Sequence, residues 1–80
     1  MNDNKDKYDN IFQETFSIER NILGKDLEYQ SIEQWDSVGH MGLMAALEEA
    51  FDIFLETDDI IDFSSYNKGM LILGKYDIKF

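Results

Sequence analysis

The chain has 80 residues, 44% of them hydrophobic, with no Cys, and carries a net charge of −10 from 17 acidic and 7 basic side chains. That length allows one domain with a small core, burying about 60% of the unfolded surface, while the apolar content excludes a disordered acidic tail. Disulfides and thiolate metal sites are excluded. No apolar run approaches the ~20 residues that span a bilayer. The polar start from Met1 to Asp9 has no signal-peptide core, so the expected location is cytoplasmic.

The charge is unevenly placed. From Asp26 to Asn67 there is no Lys or Arg but there are eleven acids; Lys5, Lys7, Arg20, Lys25, Lys68, Lys75 and Lys79 lie toward the two ends. A field of that sign repels phosphate backbones and anionic headgroups and steers basic proteins. Neither nucleic-acid binding nor membrane insertion is expected.

In chain order, the spacing of Tyr8, Ile11, Phe12, Thr15 and Phe16 predicts a first helix from about Lys5 to Ser17. Asp3 or Asn4 suits its cap, and Asp6 and Asp9 suit the positive end of its dipole. The connection from Ile18 to Asp36 is polar in places but returns repeatedly to Ile22, Leu23, Leu27, Ile32 and Trp35. A loop this long in a small domain is expected to be packed by its own side chains, with Trp35 as an anchor that also shapes access to Ser37.

The second helix runs from Ser37 to about Phe51. Leu43, Leu47, Ala50, Phe51 and Phe54 form a core stripe, and Val38, Met41, Met44 and Ala45 a neighbouring apolar surface that suits either core or an adaptable contact. A short third helix spans Thr57 to Asp62, with Thr57 as its cap. A fourth starts after Ser64 or Ser65 and ends near Gly74, a glycine suited to a C-cap. Gly69 inside it costs ~1 kcal/mol against Ala. The tail from Tyr76 to Phe80 is too short to assign.

Three chemistries fit poorly. Asp36, Ser37 and His40 fall on one helical turn, with no strand-turn-helix elbow and no second element for an oxyanion hole, which argues against a hydrolase. A calcium loop from Asp52 fails because Phe54 takes a ligand position, the turn glycine is missing and Phe63 replaces the closing Glu. Gly39-His40-Met41-Gly42 matches a G-x-x-G clamp in letters but has no basic grip. No catalytic residue and no metal site are therefore expected, and His40 is expected on the helix surface or partly buried. Ser37 remains, at a helix start where a serine is by default an N-cap. A phosphodiester on its oxygen would also meet backbone donors that favour anions.

Asp36-Ser37-Val38, with Leu43-Met44-Ala45-Ala46-Leu47-Glu48-Glu49-Ala50-Phe51-Asp52-Ile53 behind it, resembles the acyl carrier protein family over about residues 8–76. Chain length, acidity and the Leu-x-x-x-Leu-x-x-x-Phe spacing of Leu43, Leu47 and Phe51 agree with it. The resemblance implies an all-α four-helix bundle of acyl-carrier type, with a long first loop and a short third helix. It implies that the chain is a monomeric carrier and not an enzyme, with 4′-phosphopantetheine from coenzyme A on Ser37, and acyl groups riding as thioesters on its thiol. Its partners would be a phosphopantetheinyl transferase, whose metal Asp36 helps position, and acyl-transferring or acyl-activating enzymes with basic docking surfaces. Val38, Met41 and Met44 would give the apolar part of the contact, and Glu48, Glu49 and Glu56 the charge. Gly39 and Gly42 stand where members serving fatty-acid synthesis often carry acids. They point to a dedicated carrier in a side pathway, such as surface-polysaccharide or specialised-metabolite assembly. A peptidyl or aminoacyl carrier and an unmodified acidic helical adaptor are the alternatives.

Overall fold

The computed structural model describes residues 3–80 as four helices, α1 (Asp3–Phe16), α2 (Ser37–Phe51), α3 (Thr57–Asp62) and α4 (Tyr66–Gly74), with a 3-10 turn at Arg20–Ile22. The architecture is all-α: among the described residues the isolated extended pairing is one antiparallel bridge, Glu28 with Ser65. α1 packs chiefly against α2. It buries Tyr8, Ile11, Phe12 and Phe16, the face predicted by their spacing. Phe12 is the hub, meeting Phe16, Trp35 and Tyr66 edge-on at centroid separations of 5.9, 5.5 and 5.3 Å. α1 begins earlier than its apolar spacing suggests, so Asp3 and Asn4 lie inside it instead of capping it. The Asn4 amide donates to the Lys79 carbonyl at 3.0 Å. The tail docks beside it: Ile78 is buried, and the Phe80 ring meets Tyr8 and Phe51.

Asp9 is a buried acid that its sequence neighbours do not announce. It is only 5% exposed, against the cost of burying an unpaired carboxylate. The Lys5 ammonium donates to it at 2.9 Å from one turn earlier, and the Tyr66 hydroxyl donates from α4. Lys5 also donates to the Tyr66 oxygen at 2.6 Å, and that bond holds the ammonium above its usual range. The buried Tyr8 hydroxyl donates to the Tyr66 carbonyl at 2.7 Å, and burial pushes it well above an ordinary phenol. This cluster ties α1 to the start of α4.

The connection between α1 and α2 packs down. Leu27 and Trp35 are buried, and Leu23 and Ile32 lean on the core. Its backbone is also bound: Tyr29 N–H donates to the Ser64 carbonyl and Tyr66 N–H to the Leu27 carbonyl, both at 2.9 Å, and Gln30 N–H donates to the Trp35 carbonyl at 2.8 Å. The first two bonds attach the loop to the junction of α3 and α4, and the third closes the loop on itself.

α3 has six residues, too few to persist alone. It is latched from outside: the Asp59 carboxylate accepts from the Lys75 ammonium and, at 2.5 Å, from the Tyr76 hydroxyl. Its N-cap is Glu56 without a side-chain bond, so Thr57 is the first helical residue and not the cap. Ser65 caps α4, its Oγ accepting from Lys68 N–H at 2.9 Å. Gly69 carries the propensity penalty for a packing reason. A Cβ there would collide with the Phe63 ring and the Tyr8 hydroxyl. Gly74 is the last helical residue, and Lys75 follows it in right-handed conformation, so no left-handed glycine cap ends α4.

Candidate functional site

Asp36 caps α2. Its backbone is extended, and its Oδ1 accepts from Gly39 N–H at 2.8 Å. The first intrahelical bond follows, from His40 N–H to the Asp36 carbonyl at 2.7 Å. Ser37 is therefore the first helical residue and not the N-cap, as its position alone would suggest, and its side chain is exposed. With the cap taken by the preceding acid, the hydroxyl faces solvent at the positive end of a 15-residue helix.

The opposite faces of α2 have different tasks. His40, Leu43, Met44, Leu47 and Phe51 recur at i, i+3, i+4, i+7 and i+11 and turn inward. Val38, Met41, Ala45, Glu49 and Asp52 share the outward side. Val38 is 79% exposed and Met41 57%. Met44, expected at the contact surface, is 1% exposed; it lies one residue from Leu43 and three from Leu47, and so belongs to the inward stripe. Glu48 is half-buried, with Oε2 accepting from Leu55 N–H at 2.9 Å, so its carboxylate is partly committed to holding the following loop. Glu49 and Glu56 are exposed. Phe54, expected in the core stripe, is 89% exposed. Helical periodicity ends before it, because Asp52 turns left-handed with φ 54° and terminates α2.

His40 joins three segments. The Trp35 indole N–H is a donor only, and it donates to His40 Nδ1 at 3.0 Å. Nε2 must then carry the proton of the neutral ring, and it donates to the Ile60 carbonyl at 2.8 Å. The imidazole lies nearly parallel to the Trp35 ring, with centroids 6.2 Å apart and planes 16° apart. Trp35 is fully buried behind His40. The residues bordering Ser37 are instead Tyr29, His40, Met41, Ile60 and Ile61, around a mainly apolar cleft of about 340 Å³. Tyr29, Ile60 and Ile61 carry no signal for this role in sequence, because only folding brings them beside Ser37. His40 had one: it sits three residues from Ser37, on the adjoining helical ridge.

Gly39 also lies at this site. A Cβ on it would collide with the Gln34 carbonyl oxygen and reach the Phe16 ring at 3.3 Å. Its lack of a side chain lets the loop seat against the start of α2. Gly42 faces open space. Among the described residues no group of His, Asp and Glu is arranged to hold a metal ion, and no helix is long and apolar enough to cross a membrane. Compared with protein-family models, curated proteins and solved structures, the chain matches none.

Proposed function

We propose that Ser37 is the attachment point of a 4′-phosphopantetheine arm and that the protein carries acyl groups as thioesters on it. The observation that carries this reading is the division of labour at the start of α2. Asp36 supplies the cap, so Ser37 presents a free-standing hydroxyl beside the positive end of the helix and an apolar cleft. These residues fit the group: a phosphodiester on Oγ would lie near backbone donors at the helix start, and the arm supplies the thiol that a chain without Cys lacks. Resemblance to the acyl carrier family, on Asp36-Ser37-Val38 and the helix behind it, supports the same assignment and the acyl-carrier type of bundle.

In this role the chain performs no reaction itself. Asp36 orders the helix start, Val38 and Met41 give an exposed apolar contact beside the attachment point, and Glu49 and Glu56 supply charge toward basic partner enzymes. Gly39 has a packing role, so the case for a dedicated carrier in a side pathway now rests on Gly42 and on Val38 in place of the family's Leu.

The test is an intact-mass measurement after incubation with coenzyme A, Mg2+ and a broad-specificity phosphopantetheinyl transferase. The expected result is a gain of one phosphopantetheine in the wild-type chain and none in Ser37→Ala. An unchanged wild-type mass, with the transferase active on a control carrier, overturns the assignment.

A further inference from the structure

His40 is the one histidine of the chain, and its ring spans the segments that wall the Ser37 cleft. It belongs to α2, accepts at Nδ1 from the Trp35 indole at 3.0 Å and donates from Nε2 to the Ile60 carbonyl of α3 at 2.8 Å. Tyr29 of the loop meets the imidazole edge-on with centroids 5.5 Å apart, and Phe63, just after α3, at 6.2 Å. Tyr29, Ile60, Ile61 and Phe63 line the cleft with it. Trp35 is fully buried, so no water replaces the imidazole as acceptor for its indole.

This arrangement works in one protonation state. A neutral imidazole offers one acceptor and one donor, whereas an imidazolium donates from both nitrogens and accepts at neither. A proton taken from solvent at Nδ1 would set two N–H groups against each other, and a buried donor left without a partner is costly. The ring must then turn away from Trp35, which gives up Ile60, or push the loop off α2. Either movement loosens a wall of the cleft.

Neighbouring titratable groups do not take over the acceptor's part. The loop carries Glu28 and Tyr29, the start of α2 carries Asp36, and α3 carries Asp58, Asp59 and Asp62. A phenol is uncharged in acid. Asp36 is bound to Gly39 N–H and Asp59 to Lys75 and Tyr76, while Glu28, Asp58 and Asp62 are exposed. Carboxylates ordinarily titrate below about pH 5, whereas imidazole ordinarily changes charge between about pH 5 and 8.

We infer that His40 is a proton-operated clasp on the Ser37 cleft: neutral, it holds the loop and α3 against α2, and protonated at Nδ1 it releases them. Acidification through the imidazole range opens the cleft, while Lys75 and Tyr76 keep α3 in place through Asp59. The clasp does not depend on what Ser37 carries.

The test therefore follows the unmodified full chain by NMR from about pH 8 to about pH 5. At the upper end the imidazole 15N signals are expected to show a proton on Nε2 and none on Nδ1. As the ring protonates, the Trp35 indole N–H and the Tyr29 and Ile61 amides are expected to shift with the same midpoint. Protection of the indole N–H, corrected for its intrinsic exchange rate at each pH, is expected to fall about tenfold. Amides of Phe12 and Leu47 in the core should stay in place. His40→Gln supplies an acceptor and a donor that do not titrate, and is expected to abolish the pH response. A proton on Nδ1 at the upper end overturns the clasp, as does a ring that titrates without moving Trp35 and Ile61, or that stays neutral throughout. The same response in His40→Gln assigns the change to carboxylates and overturns it too. Should that variant unfold, the wild-type midpoints decide alone.

Discussion

Gly39 and Gly42 lie three residues apart on α2, and their surroundings give opposite expectations. At Gly39 a Cβ meets the Gln34 carbonyl, a backbone atom that has little room to yield. Gly39→Ala is expected to destabilise by roughly 1–3 kcal/mol, the usual cost of overpacking. At Gly42 there is open space, so Gly42→Ala is expected to stabilise by about 0.5–1 kcal/mol through helix propensity. Urea unfolding of the two variants separates the cases. A Gly39→Ala chain as stable as wild type would show that the loop does not seat on α2 as described. The same comparison explains why two glycines in one short stretch read alike in sequence: propensity is a local property, and the Gln34 carbonyl reaches α2 through the fold.

Among the elements, α3 depends most on its neighbours. The Lys75 ammonium beside Asp59 holds its carboxyl below the ordinary value of 3.8, with the Tyr76 hydroxyl adding to the effect. A lowered folded pKa means that this contribution is fully present above pH 3.8 and fades as pH falls through the folded value. The partners set the other boundary. Asp59 raises Lys75 above 10.5, while burial, aided by Asp59, raises Tyr76 above 10.0. Their contributions are complete below those values and fade as pH rises through the raised ones. The latch is therefore expected to hold across the neutral range and open at both extremes. Amide protection in α3, relative to the intrinsic exchange rate at each pH, should fall in acid before that in α1, and Asp59→Asn should lower it already at neutral pH. Equal protection of α3 in the variant and the wild type would count against the latch.

α3 and the long loop also show how far elements could be read before folding. The apolar spacing of α1 and the start of α4 after Ser64 or Ser65 are local signals, and α4 begins at Tyr66, directly after Ser65. Phe54 was misplaced because a helical stripe was extended past Asp52, where one left-handed residue ends the helix. The spacing of Met44 suits either core or contact, and the structure decides for the core, because two apolar faces of one helix cannot be ranked without knowing where α1 lies. His40 and Trp35 are five residues apart, but their shared hydrogen bond needs the loop folded back onto α2.

For the whole molecule, charge and core act against each other. The radius of gyration is 11.4 Å, close to the ~11.6 Å that the size scaling of folded domains gives for this length. Within that volume a charge of −10 favours expansion. The few cations lie toward the ends of the chain but act across the fold: Lys5 on Asp9 and Lys75 on Asp59. Most of the acids between Asp26 and Asn67 remain unneutralised by such contacts. Raising NaCl from low ionic strength, or adding Mg2+, is expected to raise the melting midpoint by a few degrees. The gain should level off once the Debye length falls to about 10 Å, near 0.1 M salt. A midpoint insensitive to salt would mean that repulsion between these acids does not limit stability.

The all-α class, four helices near their places, the acidic character and the position of Ser37 at a helix start all follow from local pattern and composition, because periodicity, capping and charge act over a few residues. The role of each residue at that start does not. Whether Ser37 or Asp36 takes the cap depends on which side chain reaches Gly39 N–H, and the walls of the adjoining cleft come from Tyr29, Ile60 and Ile61. Those contacts exist because the core around Phe12 and Trp35 draws the loop, α2 and α3 together. They are properties of distances between remote segments, and no local pattern encodes a distance of that kind.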